Sequence, residues 1–379
     1  MEPEIQIAPN GDILSHIGFR DEVTDPLGQQ YESARLDHES SRYEKHFETW
    51  KPIPTVHGQF PQEFSTAFEA EFGFGIDALR EVRDVLENLA IEKKRCFFVA
   101  QQEDIVSYCA KSHLTAVGIT KAVLHCFSLW PREAWDKTPD GFKNKDWYPW
   151  RFGRRLSLVA RPIVRLQTCD NPLYAISPGL FGEGFAVTLS QYYEGEFEAS
   201  DCISSNMQSW IGKEKYRRGH AFAQEIFTVV QKLGYKAYLE IKLTELLNEQ
   251  LDRDWGDVDV LAWKPGSGEV FAIECKNLKT AKTPIEMADQ LNAFGGQTVA
   301  NGKRDELLKH LDRCDFLRQR YKRVAETIGV NNTDIRIRTV VCFSKPAPIQ
   351  FVQKRFPNVS FLTINNLLEI GEILSTTKL

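Results

Sequence analysis

Gly256-Asp257-Val258-Asp259-Val260-Leu261-Ala262-Trp263 and, after Lys264-Pro265-Gly266-Ser267-Gly268, Val270-Phe271-Ala272-Ile273-Glu274-Cys275-Lys276 read as two β-strands joined by a hairpin-type turn. Alternate residues of a strand share a face. Asp257 and Asp259 are therefore expected on one face, with Val258 and Val260 on the other. Glu274 and Lys276 likewise share a face, opposite Ile273 and Cys275. If the strands are neighbours, Asp259 and Glu274 converge at one sheet end. Two hard oxygen ligands suit Mg²⁺, which keeps several waters and binds phosphate oxygens. A lysine beside them can orient a water or neutralise developing charge. That is the inventory for hydrolysing a phosphodiester. Glu274 and Lys276 also interrupt an apolar run, where a carboxylate and an ammonium are costly unless paired or metal-bound. The pattern alone leaves open a bare ion pair and a metal site.

Outward from this hairpin, Arg217–Leu233 is expected to be a helix with Phe222, Ile226, Val229, Val230 and Leu233 on one face, ended by Gly234. Ala237–Lys242 reads as a strand. Thr283 and Pro284 open a helix as N-cap and first position. A long helix is expected over about Lys303–Ile328, strands at Ile335–Phe343 and Val359–Ile364, and a closing helix at Asn365–Leu374. This order gives an α/β domain with a mixed central sheet.

The Asp259 … Glu274-x-Lys276 pattern, with apolar strand residues before each half, a hairpin between them and a helix on either side, resembles the PD-(D/E)XK nuclease superfamily, in its Mrr-like and Holliday-junction-resolvase-like flavour. The resemblance covers about 205–370. It implies a restriction-endonuclease-like sheet flanked by helices and a metal-dependent DNA endonuclease leaving 5′-phosphate and 3′-hydroxyl ends. It also implies one or two Mg²⁺ ions, replaceable by Mn²⁺, on Asp259 and Glu274, with Lys276 positioning the attacking water. Many such nucleases carry a helical glutamate completing the metal site. Glu225 matches it, and otherwise reads as a surface carboxylate beside the apolar stripe. Asp289-Gln290-Leu-Asn-Ala-Phe294 is similar to a Gln-x-x-x-Tyr element with Phe for Tyr, which makes Gln290 a contact to DNA or to a metal-bound water. The proline of the motif is absent, Gly256 standing before Asp257. Related nucleases often pair to cut two strands, so a homodimer is one expected assembly. Bacterial defence or repair is the family's usual setting.

Lys279 and Lys282 follow the motif strand, and Lys309, Arg313, Arg320 and Arg323 fall near one face of the long helix. Such a face tracks a phosphate backbone or is simply solvated. His310 beside them reads as a surface histidine. A module of the same fold that binds nucleic acid or protein without cutting, and a nuclease subunit activated by a sensor partner, are the rival functions.

The N-terminal half is less informative. Residues 1–75 carry 5 Lys/Arg against 14 Asp/Glu and are expected to form an acidic extended arm, shielding a basic face or binding a partner. Residues 76–204 read as a largely helical, mixed domain, and 205–379 as the nuclease-like one. In the former, Cys96-Phe-Phe-Val is a possible strand, Glu103–Ala110 and Thr120–Leu129 two short helices, and Leu156–Leu166 a strand. Trp130, Trp135, Trp147 and Trp150 cluster with Arg151, Arg154 and Arg155, either as a packing seam or as a surface for bases and phosphates. The 379 residues, 42% hydrophobic and 26% charged, exclude global disorder, a coiled coil and a collagen-like repeat. Net charge is −5, yet residues 201–379 hold 26 Lys/Arg against 22 Asp/Glu, so acidity belongs to the arm and does not argue against nucleic acid. Eight cysteines without a CxxC pair argue against zinc and for reduced thiols in the cytoplasm. No apolar run reaches membrane length and Met1-Glu-Pro-Glu is no signal peptide, so no membrane partner is expected.

Overall fold

The computed structural model describes residues 4–7, 13–16, 26–48, 60–111, 117–132, 134, 137–299, 302–330 and 335–367. The chain forms two compact units of mixed α/β structure. One combines Met1–Lys51 with Phe222–Leu379, the other is Pro52–Ala221. The division falls inside a helix rather than at 204/205. Residues 1–75 do not behave as one arm: Pro26–Glu48 and Gln62–Phe72 are helices in different units. Phe64, Ala67 and Phe68 sit at helical spacing and are buried, a short periodicity hidden in the acidic composition.

In the unit 52–221, a four-stranded sheet runs in the order Phe98–Gln101, Leu173–Ile176, Ile163–Arg165, Ser128–Leu129. Helices Ile76–Glu92 and Pro178–Tyr193 pack into one apolar core through Leu79, Val82, Leu86, Phe181 and Phe185. The strand expected over Leu156–Leu166 is reduced to Ile163–Arg165. Short helices stand at Gln102–Lys111 and Val117–Cys126. The tryptophan-rich segment is seamed by cations on aromatic faces, Arg161 over Trp130 at 5.1 Å and Arg155 over Phe142 at 4.8 Å. Trp150 is half exposed and stacks on Tyr148; Trp135 lies outside the described residues. Buried Asp146 is held by Arg155 at 2.6 Å.

Gly184 marks the closest approach in this unit. A Cβ there would lie 2.6 Å from the Val159 carbonyl oxygen and 2.9 Å from Pro162 Cγ. Backbone cannot yield as a side-chain tip can. Gly184→Ala is expected to cost about 1–3 kcal/mol, seen as a lower midpoint in thermal unfolding. An unchanged midpoint would show that helix and loop separate easily.

The other unit carries the hairpin. Helix α1 (Pro26–Glu48) docks through Tyr31, which is fully buried, donates to the Ala281 carbonyl at 2.9 Å and meets Phe351 edge-on. Then come α2 (Ser205–Lys232), β1 (Lys236–Lys242), β2 (Asp257–Trp263), β3 (Glu269–Lys276), α3 (Pro284–Ala293), α4 (Glu306–Gln319), α5 (Tyr321–Ile328), β4 (Arg336–Phe343) and β5 (Val359–Thr363). The strands form one sheet in the order β5-β4-β3-β2-β1. β2 is antiparallel to both β1 and β3, while β4 runs parallel to β3 and β5. The mixed sheet is therefore as expected. Both faces are covered, which explains the continuous apolar runs in β2 and β3. On one face Phe222, Ala223, Ile226 and Val230 of α2 pack on Val260, Ala262, Ile273 and Val340. On the other, Cys314 and Leu317 of α4 and Val324 and Ile328 of α5 pack on Val258, Leu261, Val270 and Ala272.

The single long helix expected over 303–328 is two helices. Asp305 caps α4, accepting from Leu308 N at 2.7 Å, and Arg320 leaves helical geometry at φ −113°, ψ 25°. The Arg320 side chain instead lies over Phe316 and bonds Glu249 at 2.8 Å. No glycine or proline announces this break. The closing helix is described only over 364–367; the rest of its expected span lies outside the described residues.

Candidate active site

The Asp259 region departs from simple strand alternation. Leu239 pairs with Val260 and Ile241 with Val258, but the ladder skips Glu240 and Asp259 between them. Glu240 has a left-handed backbone, φ 49°, which costs a residue with a side chain. Across this break the faces switch: Val258 joins the core under α4 and α5, whereas Val260 joins the core under α2. The expectation that the two valines share a face is thus corrected. The break turns the Asp259 carboxylate toward β3, where Oδ2 accepts from Cys275 N at 2.6 Å. A side chain replaces the backbone acceptor that β2 would have offered.

Glu274 lies on the face covered by α4, 6% exposed. Its Oε1 is 2.9 Å from Lys276 Nζ, which also bonds Glu306 Oε2 at 2.9 Å. Arg313 Nη2 lies 2.8 Å from Glu274 Oε2 and the fully buried His310 places Nδ1 at 3.5 Å. Neither is aligned as a hydrogen bond, so this buried oxygen has no directed donor. Arg313 also donates to the Asp257 carbonyl, and Lys309 pairs with Glu306 at 2.7 Å. Asp259 and Glu274 line one cleft with Arg253, Asp254, Trp255, Asp257, Arg304, Lys309, Asp312 and Arg313.

The electrostatics follow from burial and crowding. Burial, then the neighbouring Glu274 charge, pushes Asp259 up to about 7. Burial works the same way on Glu274, but the Lys276 and Arg313 charges outweigh it and hold its pKa below the usual carboxylate range. Lys276 is raised: burial opposes its charge, and Glu274 and Glu306 more than restore it. Burial pulls His310 down to about 4, so near neutral pH it is uncharged. Its Nε2 lies 3.1 Å from the Val340 carbonyl, which fixes the proton there.

The structure brings Asp259, Glu274 and Lys276 together. Arg313, expected as a surface phosphate contact, points inward onto Glu274, and His310, expected at the surface, is buried beneath it. Lys309 lines the cleft and is exposed. Glu225 is exposed on α2, across the sheet from Glu274. Its charge acts on the Cys342 thiol, which burial first and then Glu225 push up to about 12. It does not complete this carboxylate pair. Gln290 Nε2 donates to the Lys279 carbonyl at 2.5 Å, a tether within the segment after β3, outside the cleft lining. Lys282 uses its backbone N–H to cap against Glu286. Neither Lys279 nor Lys282 lines the cleft. Two residues are not expected at the site from the sequence: Glu306, which reads as a solvated helix acid but holds Lys276 from the far side, and Glu240, whose left-handed backbone turns Asp259. Glu306 at the first position of a capped helix was readable; Glu240 was not.

Among the described residues no three His, Cys, Asp or Glu side chains form a ready-made metal cage. A Mg²⁺ ion needs less, one or two carboxylates with water and substrate phosphate filling the remainder. The raised Asp259 and the orphaned Glu274 Oε2 fit that requirement, since a divalent cation would relieve both.

A family model described as anti-phage protein Upx-like matches residues 1–360, and the chain belongs to this family. No curated protein and no solved structure matches it. Among the described residues no helix is long and apolar enough to cross a membrane, and the eight cysteines are free thiols.

Proposed function

We propose that this anti-phage protein acts as a metal-dependent nuclease of the PD-(D/E)XK type, most simply a DNA endonuclease, with Asp259 and Glu274 holding Mg²⁺ or Mn²⁺. The observation that carries this reading is the Asp259–Glu274–Lys276 cluster at one sheet end, in which the buried Glu274 has a carboxylate oxygen lacking a directed donor. The sheet order and the helices on both faces support the restriction-endonuclease-like fold that the motif implies. A bound divalent cation would supply neutralisation of the phosphoryl oxygens. The chain's own residues do the rest. Lys276 stays protonated at neutral pH, so it donates hydrogen bonds to a water or phosphoryl oxygen and does not serve as the base. Glu306 sets its direction, and Arg313 holds Glu274 in place.

Incubation with linear, circular, single-stranded and branched DNA and with RNA, in Mg²⁺ or EDTA, tests the reading. Cleavage in Mg²⁺ that EDTA stops supports it; intact substrates in every arm, with and without infected-cell extract as a source of an activating partner, sink it. The rival is a non-catalytic binding module. It is favoured by the cations that already surround Glu274, since Lys276 and Arg313 offset its charge without metal. Calorimetric titration with Mn²⁺ separates the two.

A further inference from the structure

Four cations line the cleft, and three are committed to carboxylates. Arg304 pairs with Asp312 at 2.8 Å, Lys309 with Glu306 at 2.7 Å and Arg313 with Glu274 at 2.8 Å. Arg253 differs. Among the described residues no carboxylate pairs with it, and its guanidinium carbon lies 3.6 Å from the centroid of the Trp255 ring. Trp255 stacks in turn on Phe316 at 4.1 Å and 26°, and Arg320 lies 3.7 Å over Phe316. Two groups this close to one centroid cannot share a face without overlap. The four side chains therefore form a column, Arg253–Trp255–Phe316–Arg320. Glu249 anchors its far end through Arg320.

The column decides what this wall of the cleft can bind. Both faces of Trp255 are occupied, so it does not offer a platform for a base. What remains is the edge of the Arg253 guanidinium, a planar fork of N–H donors matched to phosphate oxygens. The loop beneath is held in shape. Trp255 Nε1 donates to Asp252 at 3.3 Å, and Gly256 N donates to Asp254 at 2.8 Å from a backbone at φ 79°. Stacking on a fixed ring removes rotamer freedom from the arginine before any ligand arrives, which lowers the entropy cost of binding.

We infer that Arg253, stacked on Trp255, is a phosphate-binding residue that holds the nucleic-acid backbone beside the Asp259–Glu274 pair. The inference deepens the nuclease reading and rests on it. A backbone contact carries no sequence information, so its signature is a uniform loss of affinity with a change in salt dependence.

The test is fluorescence anisotropy of the full chain with labelled duplex DNA, single-stranded DNA and RNA of unrelated sequences, in Ca²⁺ over a range of salt, with cleavage in Mg²⁺ followed separately. Arg253→Ala is expected to weaken binding roughly 5–20-fold on every sequence of the preferred nucleic acid and to reduce the log–log salt slope by about one. Arg253→Lys keeps the charge and loses the stacked plane, so it should retain the slope and only part of the affinity. Trp255→Leu should resemble Arg253→Lys. Because Trp255 also packs on Phe316, the deciding variant is Arg253→Ala, at an exposed position. Wild-type affinity and slope in Arg253→Ala, with the wild type binding and cutting, overturn this inference and leave the nuclease standing. Weakened binding in a chain that cuts nothing keeps the phosphate site and removes the nuclease. A wild type that binds no nucleic acid overturns both.

Discussion

Lys276→Met is expected to lower metal-dependent cleavage by about 10²–10³-fold, the usual effect of deleting one preorganised donor from a polar active site, while the protein stays folded. Methionine keeps the length and fills the half-buried space. Its removal of charge leaves Glu274 with Arg313 and Glu306 with Lys309, so neither carboxylate is stranded. Glu274 needs a gentler change. Glu274→Ala would strand Arg313 and Lys276 in a buried site, and breaking a buried pair costs about 3–5 kcal/mol. Lost activity in that variant would report stability as much as chemistry. Glu274→Gln keeps shape and acceptor and removes the ligand charge, so it separates the two. Circular dichroism and single-turnover cleavage on the same samples check the pair. Wild-type cleavage in both variants would remove these residues from the reaction.

The second large effect concerns Asp259→Asn, which is expected to stabilise the metal-free protein. The folded pKa of Asp259 lies at about 7, above the ~3.9 of an unfolded aspartate. The native state therefore binds the extra proton between those values. Its stability falls as pH rises through that window, and above pH 7 the full penalty of the buried charge is present. Asparagine keeps an acceptor for Cys275 N–H and removes the charge. The gain should be absent near pH 4 and on the order of 2–4 kcal/mol above pH 7. Mn²⁺ should raise the unfolding midpoint of the wild type and leave that of the variant unchanged. Thermal unfolding from pH 4 to 8.5, with and without Mn²⁺, measures both. Identical pH profiles for the two proteins would show that Asp259 carries no such strain.

The hairpin and the succession of strands along the chain were legible because period-two alternation and turn residues are local signals, whereas the order of strands in the sheet was not. The triplet Asp259, Glu274 and Lys276 was legible for the related reason that charges interrupted strands otherwise apolar. The misplaced residues depended on non-local geometry. Arg313 and His310 share a helix with solvated charges, and only the packing of α4 on β3 turns them toward Glu274. Glu225 borders an apolar stripe, but that stripe packs on the other side of the sheet. The acidic stretch 1–75 hid the helices Pro26–Glu48 and Gln62–Phe72 because overall charge masked Phe64, Phe68 and the anchor Tyr31.

The Asp259 carboxylate stands where a ladder carbonyl would be, so the Cys275 amide senses the cleft directly. A cation held by Asp259 would draw on the same carboxylate that accepts from that N–H. Occupancy of the cleft should therefore reach the sheet as a change in one backbone hydrogen bond. Seen by amide NMR, Cys275 becomes a built-in gauge: its resonance should move on titration with diamagnetic Mg²⁺ while the remote hairpin turn at Ser267 holds still. The same coupling would join β2 and β3 more firmly or more loosely according to what the cleft contains, a mechanical property that the charge pattern alone would never suggest.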